Sequence, residues 1–404
     1  VQVRRLDPSD SEGVHLRVDP AANHARSPDR GPGRTFTILS TYPPTPCGLA
    51  TFSAALANGL SALGARVDVV RVADGSSRSD ERVVGELVAG STRSAGECAE
   101  LINGGDVAVV QHEYGVYGGD DGDEVLGVLE ELRVPSIVVA HTILTDPTPH
   151  QRSVLVAAAS MADQVVVMSD GARRRLLDGF DIDPTKVSTI PHGAATSTTR
   201  TRVGRAGSSM MLTWGLLGPG KGIERVIDAM PSLRDLHGRP HYLVAGRTHP
   251  KVLAADGEAY RNARIQQAWH NGVAASVSFD DDYRDVPTLT ALVQSSTVVV
   301  LPYDSNDQVT SGVLVDAIAA GRPVVATAFP HAVELLSSGA GMVVAHDDPD
   351  ALAMALHRVL TEHDLAADMA AEASRLAPSM GWPVVAGAYL DLADRLLDER
   401  PALV

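Results

Sequence analysis

Cysteine is scarce in this 404-residue sequence: Cys47 and Cys98 are the two there are, so no disulfide framework staples the chain. No closely spaced cysteine pair marks a zinc site either. Such usage suits a reducing compartment, and the cytoplasm is the expected location. Lysine is nearly missing from the 34 basic residues, with only Lys186, Lys221 and Lys251, so a lysine inside a glycine-rich turn stands out. Positive charge as a whole is in deficit: 34 Lys+Arg against 50 Asp+Glu leave a net −16, which disfavours general binding of nucleic acid. No apolar run reaches eighteen residues, and the first residues lack the charged, then apolar, pattern of a secretory leader, so neither a spanning helix nor export is expected.

What remains is an ordinary globular composition, 44% hydrophobic and 21% charged, with 36 Gly and 24 Pro, too few for a low-complexity chain. The length suggests two domains. Residues 1–34 are polar, without a sustained apolar period, and read as a poorly ordered extension. From Thr35 short apolar runs alternate with helical segments. Phe36 to Leu39, Val67 to Val72, Val107 to Val110, Ser136 to Ala140 and Val165 to Met168 read as buried parallel strands. Leu49, Phe52, Leu56, Leu60 and Leu63 recur at helical spacing between the first two. A first domain over 35–193 is followed by a polar linker, 194–208, and the alternation restarts: Met210 to Trp214, Tyr242 to Val244, Ser276 to Phe279, Thr297 to Leu301, Val324 to Ala326 and Met342 to Val344. The second domain is placed at 209–380, with helical periods at Ala351 to Leu360 and Trp382 to Leu397; the segment 381–404 is free to return to the first domain. The fold class is α/β, two Rossmann-like doubly wound parallel sheets facing across a cleft, where ligands of such sheets bind.

Four strand ends carry candidate chemistry. The first strand runs into Pro43-Pro44-Thr45-Pro46-Cys47-Gly48 ahead of a helix starting near Leu49 or Ala50. Gly48 lets backbone N–H groups approach an anion or a sugar hydroxyl, although the same residues also make a plain Pro-rich corner. Gln111-His112-Glu113-Tyr114-Gly115 and His141-Thr142 end two further strands; a lone histidine is commonly structural, but two clusters at equivalent ends favour a site. Their spacing gives no metal motif, so no metal is assigned. In the second domain, Gly215-Leu216-Leu217-Gly218-Pro219-Gly220-Lys221-Gly222 precedes a helix. Glycine amides, Gly220 among them, and the Lys221 ammonium suit a phosphate, while the P-loop spacing fails. A solvated lysine after a flexible turn is the alternative. Finally, Thr310 and Ser311 can cap a helix over Val313 to Ala320 and leave N–H donors, including that of Gly312, for an anion. Asp316 on that helix can accept two ribose hydroxyls, or is a solvated helix carboxylate.

With these residues in view, the chain resembles the GT-B glycosyltransferases, specifically the retaining, metal-independent family-4 group, over residues 35 to 400. The most specific stretch is Gln308 to Val325, similar to that group's Glu-x7-Glu signature followed by Ala, a small residue and Gly-x-Pro-Val. Pro191-His192-Gly193, the Gly215 to Gly222 turn and Gly246 support it, and Pro46 to Phe52 and Gln111 to Gly115 look like a subgroup variant. The resemblance implies a nucleotide-diphosphate-sugar donor, UDP- or GDP-linked, transfer to a hydroxyl with retention, and no cofactor. It implies glycan, glycolipid or cell-envelope synthesis as the setting, with a glycan, glycolipid or small-molecule acceptor. It places Lys221 and the Thr310 to Gly312 amides on the leaving phosphate, Gln308 on the donor sugar, Asp316 on the ribose, His141 on the donor-sugar side and Gln111, His112 and Glu113 toward the sugar or acceptor.

Three positions depart from the group. Gln308 replaces the first glutamate, Asp316 is one methylene shorter than the second, and Leu216 replaces an arginine that accompanies the loop lysine. Arg247 or His249 is the expected substitute cation. A non-catalytic scaffold on the same fold, or a GT-B phosphorylase or epimerase, is the competing reading. Arg173-Arg174-Arg175 beside Leu176 and Leu177 offers a peripheral contact with the inner membrane face, or a solvated helix surface.

Overall fold

The computed structural model describes residues 33–76, 80–196, 209–282 and 284–399. Most of the expected extension (1–32) and of the expected linker (197–208) lies outside the described residues. Arg34, counted with the extension, belongs to the fold: its Nε sits 3.1 Å from Asp394 Oδ1.

The first lobe is a seven-stranded sheet of β1 (Thr35–Ser40), β2 (Arg66–Val72), β3 (Val83–Leu87), β4 (Val107–His112), β5 (Ser136–Ala140), β6 (Gln164–Val167) and β7 (Val187–Thr189). The second is six-stranded: β8 (Met210–Trp214), β9 (His241–Ala245), β10 (Val277–Asp280), β11 (Val298–Leu301), β12 (Val324–Thr327) and β13 (Gly341–Val344). Their orders are β3-β2-β1-β4-β5-β6-β7 and β10-β9-β8-β11-β12-β13, with every neighbouring pair parallel. Helices cover both faces, so β4, β5, β11 and β12 are buried along their whole length and are mostly apolar, with polar residues only at their ends.

Strand order reverses between β1 and β4 in one sheet and between β8 and β11 in the other. Loops leaving adjacent strands at such a point diverge and open a crevice at the carboxyl ends. Those loops are the Tyr42–Cys47, Glu113–Gly119, Gly215–Gly222 and Pro302–Ser311 segments, the ones singled out for chemistry.

The last helix, Trp382–Glu399, returns to the first lobe. Val385, Ala386, Tyr389, Leu392 and Leu396 join the cluster built on Phe36, Leu56 and Leu60. Gly59 makes that crossing possible, since a Cβ there would stand 2.8 Å from Ala386 Cβ and 3.2 Å from the Trp382 carbonyl. The connection between lobes is tied back as well: Ala194 N donates to Met380 O at 2.8 Å, and Trp382 N to Ala194 O at 3.3 Å. Ala194, expected in the linker, is therefore paired with the second crossover.

Candidate active site

In the second lobe the two loops at the switch point form one unit. Asp304 N donates to Gly220 O at 2.9 Å, and Lys221 Nζ lies 4.6 Å above the ring centroid of buried Tyr303. Gly222 takes φ +65 and starts the helix Ile223–Leu233; a Cβ on it would fall 1.7 Å from Pro302 O. Gly222→Ala is thus expected to lower the thermal midpoint by about 5–10 °C, combining left-handed strain with a backbone clash. A melt within a degree of wild type would mean that the two loops part freely.

Lys221 is half-buried, and burial pulls its pKa below the ordinary lysine value. No carboxylate forms an ion pair with it among the described residues, so its company is a ring face and whatever enters the cleft. Of the two substitutes expected for the missing arginine, the structure separates one from the other. Arg247 is exposed and its Nε donates to Asp281 O at 3.1 Å, while its carbonyl accepts from Leu217 N of the lysine turn at 2.8 Å. Burial first, and then the nearby charges of Lys251 and Lys221, hold the pKa of His249 down. Its Nδ1 accepts from Lys251 N at 3.2 Å, so the neutral ring presents Nε2–H as donor. The Arg247 guanidinium is engaged on the turn after β10.

The helix Gly312–Ala319 begins one residue before the expected start, with Ser311 as N-cap, its Oγ accepting from Leu314 N at 3.3 Å. Ser311 N donates to His331 Nδ1 at 2.9 Å. Gly312 N and Val313 N are then the open donors of the first turn. Thr310 does not cap: its Oγ1 is buried and makes no hydrogen bond. Asp316 is not the solvated carboxylate of the alternative reading. Burial pushes its pKa up to about 7, and no cation lies close enough to offset this.

Across the junction, four histidines gather: His112 and His141 from the first lobe, His192 at the crossing and His331 from the second. Burial leads in every case and holds them at about 4, 3, 4 and 4 respectively, so all are neutral imidazoles near pH 7. His141 Nε2 stands 2.6 Å from Gln111 Oε1; as a neutral ring it donates there and leaves Nδ1 as an acceptor. Phe52, on the helix that Gly48 opens, packs edge-on against His141 at 4.9 Å and His192 at 5.0 Å. Gly312 lets the two lobes meet, because a Cβ there would lie 2.8 Å from His192 Nε2. Gly48 itself is exposed with open space around it, and its helix is capped by Cys47 Sγ, which accepts from Ala50 N at 3.3 Å.

Glu113 accepts from Thr142 Oγ1 at 2.6 Å, and burial raises its pKa above the usual carboxylate value against a smaller lowering from that hydrogen bond and from Lys251. Lys251 is the cation that motif reading passed over. It starts the helix Pro250–Asp256 on the second lobe, yet its Nζ lies 3.1 Å from where a Gly115 Cβ would stand on the first. Its scarcity as a lysine was the available signal. Gln111 Nε2 and Thr310 Oγ1 are buried polar atoms without partners, one on each side of the junction, and such atoms call for a ligand or water. Gln308, half-buried, contributes its carbonyl to His331 N at 3.2 Å, while its amide side chain stays unbonded among the described residues. Ligand-capable His, Cys, Asp and Glu atoms converge, among the described residues, at Asp280, Asp281 and Asp282, outside this site.

Of the arginine run offered as a membrane contact or a solvated surface, Arg174 is exposed and Arg175 is engaged within the protein. Leu176 is fully buried in the first lobe, and Arg175 donates to Ile143 O at 3.0 Å and across the junction to Asp307 O at 2.7 Å. No helix of the described residues is long and apolar enough to cross a membrane.

Residues 46–198 match the family described as Glycosyltransferase Family 4, and residues 209–362 the one described as Glycosyl transferases group 1. A curated relative, the D-inositol 3-phosphate glycosyltransferase of Kineococcus radiotolerans, is 26% identical over 265 residues, 60% of this chain, and the match spans 59% of that relative's length. Among solved structures, sucrose-phosphate synthase from Thermosynechococcus elongatus is similar with a TM-score of 0.69 at 17% identity, covering 91% of this chain and 100% of that one. Anabaena HepE in complex with UDP and glucose reaches 0.69 at 18%, covering 90% and 100%. The fold is GT-B.

Proposed function

We propose, from the premise that the two lobes of this GT-B fold carry glycosyltransferase domains, that the chain moves a sugar from a nucleotide-diphosphate donor to a hydroxyl acceptor, with retention and without a metal. One observation carries the reading. A half-buried ammonium without a counter-ion, Lys221, and the open helix N-terminus at Gly312 occupy loops that are hydrogen-bonded to each other at the switch point of the second sheet. Departure of the nucleoside diphosphate concentrates negative charge on the phosphate, and fixed donors lower that barrier without reorganising. Lys221, His249 Nε2–H and the Gly312 and Val313 amides are the donors. Asp316 takes the ribose hydroxyls, and Gln308 the sugar.

UDP is the first base to test, because HepE is described with UDP and glucose and with UDP-glucose. On the acceptor side, His141 Nδ1 and Glu113 face the first-lobe loops, and the leaving phosphate takes the acceptor's proton. Lys251 places a cation there, so a phosphorylated polyol is a reasonable first acceptor, as the name of the Kineococcus relative suggests. Glycan, glycolipid or envelope synthesis in the cytoplasm is the setting we assign, without a membrane contact through the arginine run.

Calorimetric titration with UDP and GDP, followed by donor consumption over an acceptor panel with and without EDTA, tests this. Turnover insensitive to EDTA, with the anomeric configuration preserved, is the expected result. Loss of turnover in EDTA removes the metal-free mechanism, and failure of both nucleotides to bind removes the donor site. Leu216 keeps a second reading open, since it leaves the turn one cation short: nucleotide binding without turnover over the panel would make the chain a scaffold.

A further inference from the structure

The loop that carries the proposed donor groups is seated on the opposite lobe. Val309 is buried inside a first-lobe cluster with Ala140, Ile143, Leu155 and Leu176, and every other member of that cluster comes from the first lobe. Its carbonyl accepts from buried Ser169 Oγ at 2.6 Å. Nearly two turns along the helix that Ser169 caps, Arg175 spans the junction: NH1 holds Asp307 O at 2.7 Å and Ile143 O at 3.0 Å, and NH2 reaches Asn306 O at 3.4 Å. Thr145 Oγ1 bonds the Asp307 carboxylate from the first lobe. A second clasp lies beside it, where Glu334 accepts from Asp170 N at 2.9 Å and Gly171 N at 2.7 Å and so caps the first-lobe helix Asp170–Gly179.

Within its own lobe the loop is anchored near both ends, through Asp304 to Arg225 at 2.6 Å and to Gly220 at 2.9 Å, and through Gln308 O and Ser311 N to His331 at 3.2 and 2.9 Å. Along this stretch the carbonyls of Asn306, Asp307 and Val309 have their partners on the first lobe, and that of Gln308 on its own. A loop tied to its own lobe at Asp304, Gln308 and Ser311 and to the other lobe at Asn306, Asp307 and Val309 takes its full register only when the two lobes meet.

We propose that Arg175 is a positioning residue of the transfer reaction: by gripping the Asn306 and Asp307 carbonyls it aligns Gln308 and the Thr310 to Gly312 donors when the lobes close. This rests on the proposed function for what the donors bind, but the docking itself does not. Lys221 and Asp316 stand on elements outside the gripped segment, so nucleoside-diphosphate binding survives opening, while transfer, which needs the loop in register and water kept out, does not.

Hydrogen exchange of peptides covering 304–312, measured on the full chain with and without saturating UDP or GDP, is combined with steady-state kinetics. Arg175→Ala is expected to exchange that loop at least tenfold faster with strands of both lobes unchanged, to lower kcat about 10–100-fold and to leave the nucleotide Kd within about threefold. Arg175→Lys, which keeps one charge and loses the fork, should recover part of kcat. Arg173→Ala on the same helix serves as the control and should match wild type. Loop exchange unchanged in Arg175→Ala, or kcat within twofold of wild type, overturns the inference. A wild-type chain that binds neither nucleotide overturns the functional reading instead, and the exchange result still decides the docking.

Discussion

Lys221→Ala lowers turnover by two to three orders of magnitude while leaving the ligand-free protein as stable as wild type. The rate term follows from its position. A donor fixed beside the leaving phosphate is worth about 3–4 kcal/mol in a site closed to water, and with Leu216 where a second cation would stand, no neighbouring charge on the turn shares the load. His249 is held neutral and supplies a hydrogen bond without a full charge. The stability term has the opposite logic. A half-buried ammonium whose pKa burial has lowered, and which pairs with no carboxylate among the described residues, costs desolvation in the empty protein. Truncating it releases that cost and gives up a ring contact worth about 0.5–1 kcal/mol, so the two nearly cancel. Lys221→Met, which keeps the stem, sharpens the comparison. Turnover of the variant near wild type would take Lys221 out of the mechanism, and a large drop in thermal midpoint would make it structural.

What could be read from the sequence divides along the same physical line. Strands β1, β2, β4, β5, β8 and β11 announce themselves, because a strand covered on both faces carries a mostly apolar run, with polar exceptions such as Arg71 in β2, which bonds Glu86. Strands β3 and β7 did not. Val83–Leu87 carries Gly85 and Glu86 at the sheet edge, and Val187–Thr189 is three residues long, too short for any period. The helix His363–Leu376 is mostly alanine and charge, so few large apolar residues mark its buried face. Turn chemistry was legible where it is local: Gly222 needs its left-handed angle, and Ser311 caps the helix that follows it. Lys251, Arg175 and Glu334 were not, because each acts on the other lobe, nor was His331, whose bonds to Gln308 O and Ser311 N join it to a loop about twenty positions earlier. Nothing in the residues flanking Glu334 says that its carboxylate will cap a helix more than 160 positions earlier. Arg175 looked like one member of a basic surface run until its neighbour Leu176 was seen to point into the core.

Asp316→Asn makes the ligand-free protein more stable at pH 8 and the donor complex weaker, a combination that a purely structural carboxylate would not give. Asp316 holds its proton up to about 7 in the folded chain against an ordinary value of 3.8. The folded state therefore binds more protons than the unfolded one between those limits, and stability falls as pH rises from about 4 to about 7. Above pH 7 the full penalty stands, about 2–4 kcal/mol once the carboxyl's partial exposure is allowed for. Asparagine carries no such charge, so the variant's thermal midpoint should exceed wild type at pH 8 and converge with it near pH 4. Hydroxyls donated by a bound ribose favour the ionised carboxylate, so donor binding to wild type should expel a proton and tighten as pH rises through about 7. The variant should bind nucleotide about 10–100-fold more weakly at pH 8, the scale of a hydrogen bond to a charged acceptor, and lose that pH dependence. Titration in two buffers of different ionisation enthalpy reads the proton directly. If Asp316→Asn melts lower than wild type at pH 8 and binds UDP and GDP equally well, the buried carboxylate serves the fold, and the ribose must be held elsewhere.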